Sequence, residues 1–201
     1  SLKIRSLIPS NSKLSLLFGE NVLASTNDYV KNVLDEKELS GIPQQSLQIA
    51  KEKAKSKGLE GWAFDLSYPS YSAVMTYADN RELRKELYLR YNQRAYNDQF
   101  DNQETIKSIL KYRTQLAQLL GFETYAAYAL QDRMAENEQN VYQLEEELLK
   151  FSYPVMKKEM EELTQFAHSL GLTGPLQRWD LSYFSEKQKT QLFEVNDEML
   201  K

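Results

Sequence analysis

Apolar positions recur along most of this chain at the three-and-four spacing of one helix face, and the places where that rhythm breaks mark the elements. Residues 12–34 carry Leu14, Leu17, Phe18, Val22, Tyr29, Val30 and Leu34 near helical period, which predicts a first helix over that span. Pro43 suits a first helical turn, and Leu47, Ile49 and Ala50 lead to a stop at Gly58. Between 58 and 69 the period falls to two: Trp62, Phe64 and Leu66 alternate with Ala63, Asp65 and Ser67, as in a short strand or extended arm. Pro69 and Ser70 open another helix with Tyr71, Val74, Met75 and Ala78 on one side. Asp79 is placed to cap the next, with Glu82 in the capping-box position and Leu83, Leu87, Tyr88, Tyr91 and Ala95 inward. A further face runs through Ile106, Ile109, Leu110, Leu116 and Leu120 to Gly121, and a short helix follows over Tyr125 to Leu130.

From Asn137 a long helix is predicted. Val141, Leu144, Leu148, Phe151 and Val155 hold a strict three-four spacing, after which the apolar set resumes one residue out of step at Met156, Met160, Leu163, Ala167 and Leu170. The slip lies beside Pro154, whose missing donor and ring clash favour a kink. Gly171 and Gly174-Pro175 end the element. The fold class expected is all-α, an array of about seven helices with one short extended segment near 62–66. It is taken as one helical unit over 1–201, with a possible subdivision near 58–69.

Composition strengthens this reading. Seven glycines and five prolines in 201 residues are few for an all-β or loop-rich fold. A net charge of −4 leaves no basic footprint for nucleic acid, so no nucleic-acid partner is expected. No run of 18 apolar residues exists to span a membrane. The first residues, SLKIRSLIPSNSK, lack the apolar core of a secretory signal and begin without Met. With no cysteine, disulfides, thiolate zinc sites and cysteine nucleophiles are all excluded within these residues, which fits a reducing compartment.

Candidate chemistry is sparse. A helical zinc site of the H-E-x-x-H kind needs two imidazoles, and His168 is the sole histidine. A di-iron bundle would want Glu three residues before it, where Gln165 stands. His168 is read instead as a surface residue at a helix C-terminus, favoured by the dipole. No G-x-S-x-G elbow, phosphate loop or dinucleotide fingerprint occurs. Glu145–Glu147 and the carboxylates Glu159, Glu161 and Glu162 are expected to face solvent. The remaining feature is LQRWDLSYFSEKQK at 176–189, where Asp180 is placed to cap a helix. Its aromatic residues pack as a cluster or, alternatively, wall a peptide-binding cleft; Trp179, Tyr183 and Phe184 are the candidate substrate-binding residues.

That segment resembles the Trp-Asp-x-x-Tyr-Tyr stretch of the thimet oligopeptidase family of zinc metallopeptidases, nearest to its bacterial branch, and departs from it at Phe184, where the family has a second tyrosine. LLFGENVLASTN at 16–27, LSGIP at 39–43, PSYSAVMTYADNRELR at 69–84, AQLLGFETYAAYAL at 117–130 and RMAEN at 133–137 agree in family order. The resemblance spans about Leu14 to Leu200. It implies a largely helical, two-lobed enzyme around a deep channel that admits short peptides, with zinc held by the two histidines of H-E-x-x-H and a downstream glutamate. None of those positions is matched here, so the resemblance implies no catalytic residue and no metal ligand in this chain. The resemblance therefore implies an internal piece of a larger, cytoplasmic peptidase, inactive alone, with short peptides and the remaining C-terminal catalytic part as partners. Apolar surface left open is expected to drive a homodimer. The alternative is a free-standing helical module that binds peptides or proteins without cutting them.

Overall fold

The computed structural model describes residues 2–193, with side chains from residue 11 onward. Helix α1 runs over Leu2–Asp28, followed by strand β1 (Val30–Val33), α2 (Gln44–Ser56), β2 (Trp62–Asp65), α3 (Tyr68–Tyr77) and α4 (Arg81–Asn92). Then come α5 (Gln103–Leu119), α6 (Tyr125–Leu130), the long α7 (Glu138–Ser169) and α8 (Leu181–Phe193). Short 3-10 turns cover Glu36–Leu39 and Arg178–Asp180. The fold class is all-α with one two-stranded sheet among the described residues, as the apolar periodicity predicts.

The first helix is where the periodic reading fails. It ends at Asp28, and Val30–Val33 leave the helix to pair antiparallel with β2, Val30 opposite Asp65 and Val33 opposite Trp62. A four-residue stretch cannot show by its own spacing whether it is a fifth helical turn or a strand. Valines at both ends fit the pleated surface better, and the partner strand supplies the missing hydrogen bonds. The short strand expected near 62–66 forms, but its burial does not alternate: Ala63 is as fully buried as Phe64 and Leu66, and Trp62 is only half-buried.

Helix signals elsewhere sit close to their places. Pro43 precedes α2, and Pro69 lies in the first turn of α3. Gly58, Gly121 and Gly171 follow helix ends. The cap of α4 differs by one residue. Asn80 is the N-cap, its Oδ1 accepting from the Leu83 N–H at 3.2 Å, which frees the Asp79 carboxylate for other partners. Helix α7 runs through Pro154 as a single element.

Two compact units divide the chain. One is Ser25–Arg94 with the residues from Glu159 onward. Its main core brings together Leu47 and Ala50 of α2, Phe64 of β2, Val74 of α3, and Leu83 and Leu87 of α4. A second cluster joins Leu163 and Ala167 of α7 to Phe184 of α8. Gly41 shows how tight the turn into this core is: at φ +86° its backbone is left-handed, and a Cβ there would lie 2.2 Å from the Tyr77 carbonyl oxygen.

The other unit comprises the chain up to Ala24 with Ala95–Lys158. Its polar anchor is Asn102, almost fully buried, whose Nδ2 donates to the Phe18 carbonyl at 3.0 Å while its Oδ1 accepts from Asn21 at 2.9 Å. The α7 stripe that the sequence predicts is formed, but within this unit it faces outward: Leu144, Leu148, Phe151 and Val155 are 58%, 60%, 72% and 56% exposed.

Candidate functional site

The aromatic segment enters the fold through a 3-10 turn, Arg178–Asp180, that leads directly into α8. Asp180 is fully buried and does not cap α8. Its Oδ2 turns back to accept from the Gln177 N–H at 3.0 Å, closing a capping box around the turn. Both oxygens also receive α4. Arg81 donates through Nε at 3.0 Å and Nη2 at 2.7 Å, and Arg84 through Nη2 at 2.9 Å. Two guanidiniums thus share one carboxylate, Arg81 as a bidentate fork from the more exposed side and Arg84 through one N–H from the buried side, a charge-assisted arrangement. Burial alone would raise the carboxyl's pKa, but hydrogen bonds from Arg81 and Arg84 outweigh it and hold the group below the usual carboxylate range.

Arg84 is itself only 2% exposed. Its Nη1 donates to the Ala78 carbonyl at 2.7 Å and its Nε to the Trp179 carbonyl at 3.1 Å, so one guanidinium ties the C-terminus of α3 to the turn before α8. The same group lies 4.0 Å from the centroid of the Tyr183 ring.

Around Tyr183 a second polar set forms. Its hydroxyl donates to Asp79 Oδ1 at 2.7 Å, Ser40 donates to Oδ2 at 2.7 Å, and Lys187 Nζ stands 3.3 Å from Oδ1. Burial would raise the Asp79 carboxyl, and Ser40, Tyr183 and Lys187 together reverse that and lower it. The Tyr183 phenol is pushed up, first by burial and then by its bond to Asp79.

The three candidate substrate-binding residues are thus brought together, each in a packing or bonding role. Phe184 is buried in the second cluster, edge-on to Tyr183 with centroids 5.0 Å apart. Trp179 is half-buried, meets Tyr88 edge-on at 6.0 Å and has Lys85 over its ring at 5.7 Å; its indole N–H is buried without a protein partner. Tyr183 is half-buried. None of the three lines the groove of about 830 Å³ between α2, β2 and α3, walled by Ile49, Phe64, Tyr68 and Tyr77. A hollow of about 350 Å³ lies next to the segment, with Glu186 and Lys187 on one side and Phe166 and Leu170 on the other. His168 is exposed, its Nε2 2.9 Å from the Gly174 carbonyl oxygen.

Chemically, Asp180 has every oxygen engaged and Asp79 is held in its charged form, so each acts as an anchor. Among the described residues no three His, Cys, Asp or Glu side chains converge as ligands for an ion. This donor set does not fit zinc, and no step through a metal is derived from it. Among the described residues no helix is long and apolar enough to cross a membrane. Sequence reasoning did not single out Asp79, Arg81 and Arg84 as partners of the aromatic segment. Their only local sign is a pair of arginines three residues apart on a helix whose neighbouring positions, Leu83 and Leu87, are apolar.

Comparison with known proteins adds what the geometry lacks. A family model described as Peptidase family M3 matches residues 74–201. Oligopeptidase A of Escherichia coli is 43% identical over 195 residues, covering 94% of this chain and 29% of that protein. Probable cytosolic oligopeptidase A of Arabidopsis thaliana is 36% identical over 198 residues, covering 94% of this chain and 28% of the relative. Saccharolysin of Saccharomyces cerevisiae is 28% identical over 209 residues, covering 99% and 28%. The chain therefore spans less than a third of the length of these relatives.

Proposed function

Because this chain belongs to peptidase family M3, we propose that it is a non-catalytic helical segment of a zinc-dependent oligopeptidase that hydrolyses short peptides, and that it shapes the substrate channel. The observation that carries the reading is the match to oligopeptidase A at 43% identity over 94% of the chain. Zinc and the catalytic carboxylate belong, on this reading, to the part of the relatives' length that this chain does not span, and that catalytic part is its first partner. A cytoplasmic setting accords with the plant relative described as a probable cytosolic oligopeptidase A.

The role assigned to the segment is rigid positioning. Arg81 and Arg84 fix the start of α8 through Asp180, with Trp179 on the turn before it and Tyr183 and Phe184 on α8 itself. Trp179 and Tyr183 keep part of their surface exposed and so can present it to a peptide, while Phe184 supports them from the core. Such pre-organised walls hold a substrate in line at low entropic cost.

The test is an assay of the 201-residue chain, supplied with zinc, on a quenched-fluorescence short peptide, with bound metal read by mass spectrometry. No turnover and no stoichiometric zinc are expected. Chelator-sensitive hydrolysis with one zinc per chain would overturn the reading.

A further inference from the structure

Thirteen tyrosines are spread along this chain, and one pair of them stands apart by its geometry. Tyr71 of α3 and Tyr91 of α4 are stacked, with ring centroids 4.0 Å apart and planes 16° from parallel. That is closer than the roughly 4.5–7 Å usual for aromatic pairs. It sets carbons of one ring over carbons of the other at about van der Waals contact. We propose that Tyr71 and Tyr91 are a modification site, where a one-electron oxidant joins the two rings as dityrosine and so ties α3 to α4 covalently. This goes beyond the peptidase reading and does not depend on it.

Each phenol gives one electron to the oxidant, a high-valent metal complex or an oxygen-centred radical, and its hydroxyl proton to water. The two phenoxyl radicals form a bond between ring carbons ortho to oxygen. Each ortho hydrogen then moves to its own ring's oxygen, so the product has lost two electrons and two protons and keeps both hydroxyls. Three features favour this pair. Tyr71 packs against the core that holds Val74 of α3 and Leu83 and Leu87 of α4, so the helices are fixed and the coupling step is intramolecular. Arg94 steadies the Tyr91 ring from one face, its guanidinium 3.6 Å from the centroid, which leaves the other face to Tyr71. That guanidinium is itself anchored, Nε donating to the Tyr91 carbonyl at 2.7 Å and Nη1 to Thr26 Oγ1 at 3.2 Å. Both rings are half-buried, open to a small oxidant yet screened from the rings of other chains. Tyr125 and Tyr128, a second pair in ring contact, are 5.8 Å apart and tilted by 58°, a poorer geometry for coupling.

Brief illumination of the 201-residue chain with ruthenium tris(bipyridine) and persulfate supplies such an oxidant. Dityrosine fluorescence should appear in the monomer band of a denaturing gel. Trypsin should then release a species joining residues 58–81, which contain Tyr71, to residues 91–94, whose one tyrosine is Tyr91. Its mass should be the sum of the two peptides less two hydrogens. Tyr71→Phe and Tyr91→Phe keep a stacked ring and lose one hydroxyl, and each should abolish that species, whereas Tyr125→Phe should leave it. In unfolding urea its yield should fall about tenfold or more, since the fold and not the sequence brings the rings together. The proposal is overturned if no joined species forms, if it persists in Tyr71→Phe, or if urea leaves its yield unchanged.

Discussion

Asp180 serves two arginines of α4 at once, and one of them, Arg84, is almost fully buried. Removing the carboxylate strands that guanidinium, so Asp180→Asn should cost about 3–5 kcal/mol, the usual penalty for breaking a buried pair from one side. Urea unfolding of the two chains measures it. The acid limb of the stability curve follows from the same groups. Asp180, Asp79 and Glu86 all have carboxyls held below their ordinary range in the folded chain. A depressed folded pKa gives stability that is present above the unfolded value, near 4, and lost as pH falls through the folded one. Thermal melts should therefore drop steeply below about pH 4, and the Asp180→Asn chain should show a shallower drop. Tyr71 marks the opposite limb: burial pushes its phenol up to about 12, so it should ionise after the exposed tyrosines in an alkaline absorbance titration. Trp179, Asp180 and Tyr183 stood out in the sequence as a cluster. Their arginine partners did not, because nothing local ties residue 84 to residue 180; that link exists only once α4 and α8 are side by side.

The helix boundaries were legible because the physics that sets them is local. Pro43 and Pro69 start helices and Gly58, Gly121 and Gly171 follow their ends, each for a reason confined to one turn of chain. What was not legible is where an element depends on a distant neighbour. Val30–Val33 carry a spacing compatible with a helix and became a strand because β2 offers an edge. Asp79 had the look of a cap and gave that task to Asn80, because Ser40, Tyr183 and Lys187 converge on its carboxylate. Two substitutions probe these elements. Asn80→Ala should lower stability by about 1 kcal/mol through the lost α4 cap. Gly41→Ala should cost roughly 2 kcal/mol or more, since it adds left-handed strain to a clash with the Tyr77 carbonyl. Chemical denaturation would rank them in that order.

At the scale of the molecule, the two units differ in how they are held. The one containing α2, β2, α3 and α4 has a continuous apolar core together with the Arg–Asp anchor. The one containing α5, α6 and most of α7 leaves large side chains such as Leu110, Leu119, Leu148 and Phe151 in water. Hydrogen exchange should reflect this: amides of α3 and α4 are expected to be the best protected.

Arg84 and Asp180 also set a timetable. The residues that neutralise each other are separated by 96 positions of chain, so a ribosome that has just made α4 needs roughly five to twenty seconds more before Asp180 exists. Through that interval the core of α2, β2, α3 and α4 can gather, but Arg84 has no carboxylate to close on, and the end of α3 lacks its tie to α8. A nascent chain halted before Asp180 should accordingly hold α2, α3 and α4 loosely, and completion of the turn at Arg178–Asp180 becomes the event that locks them.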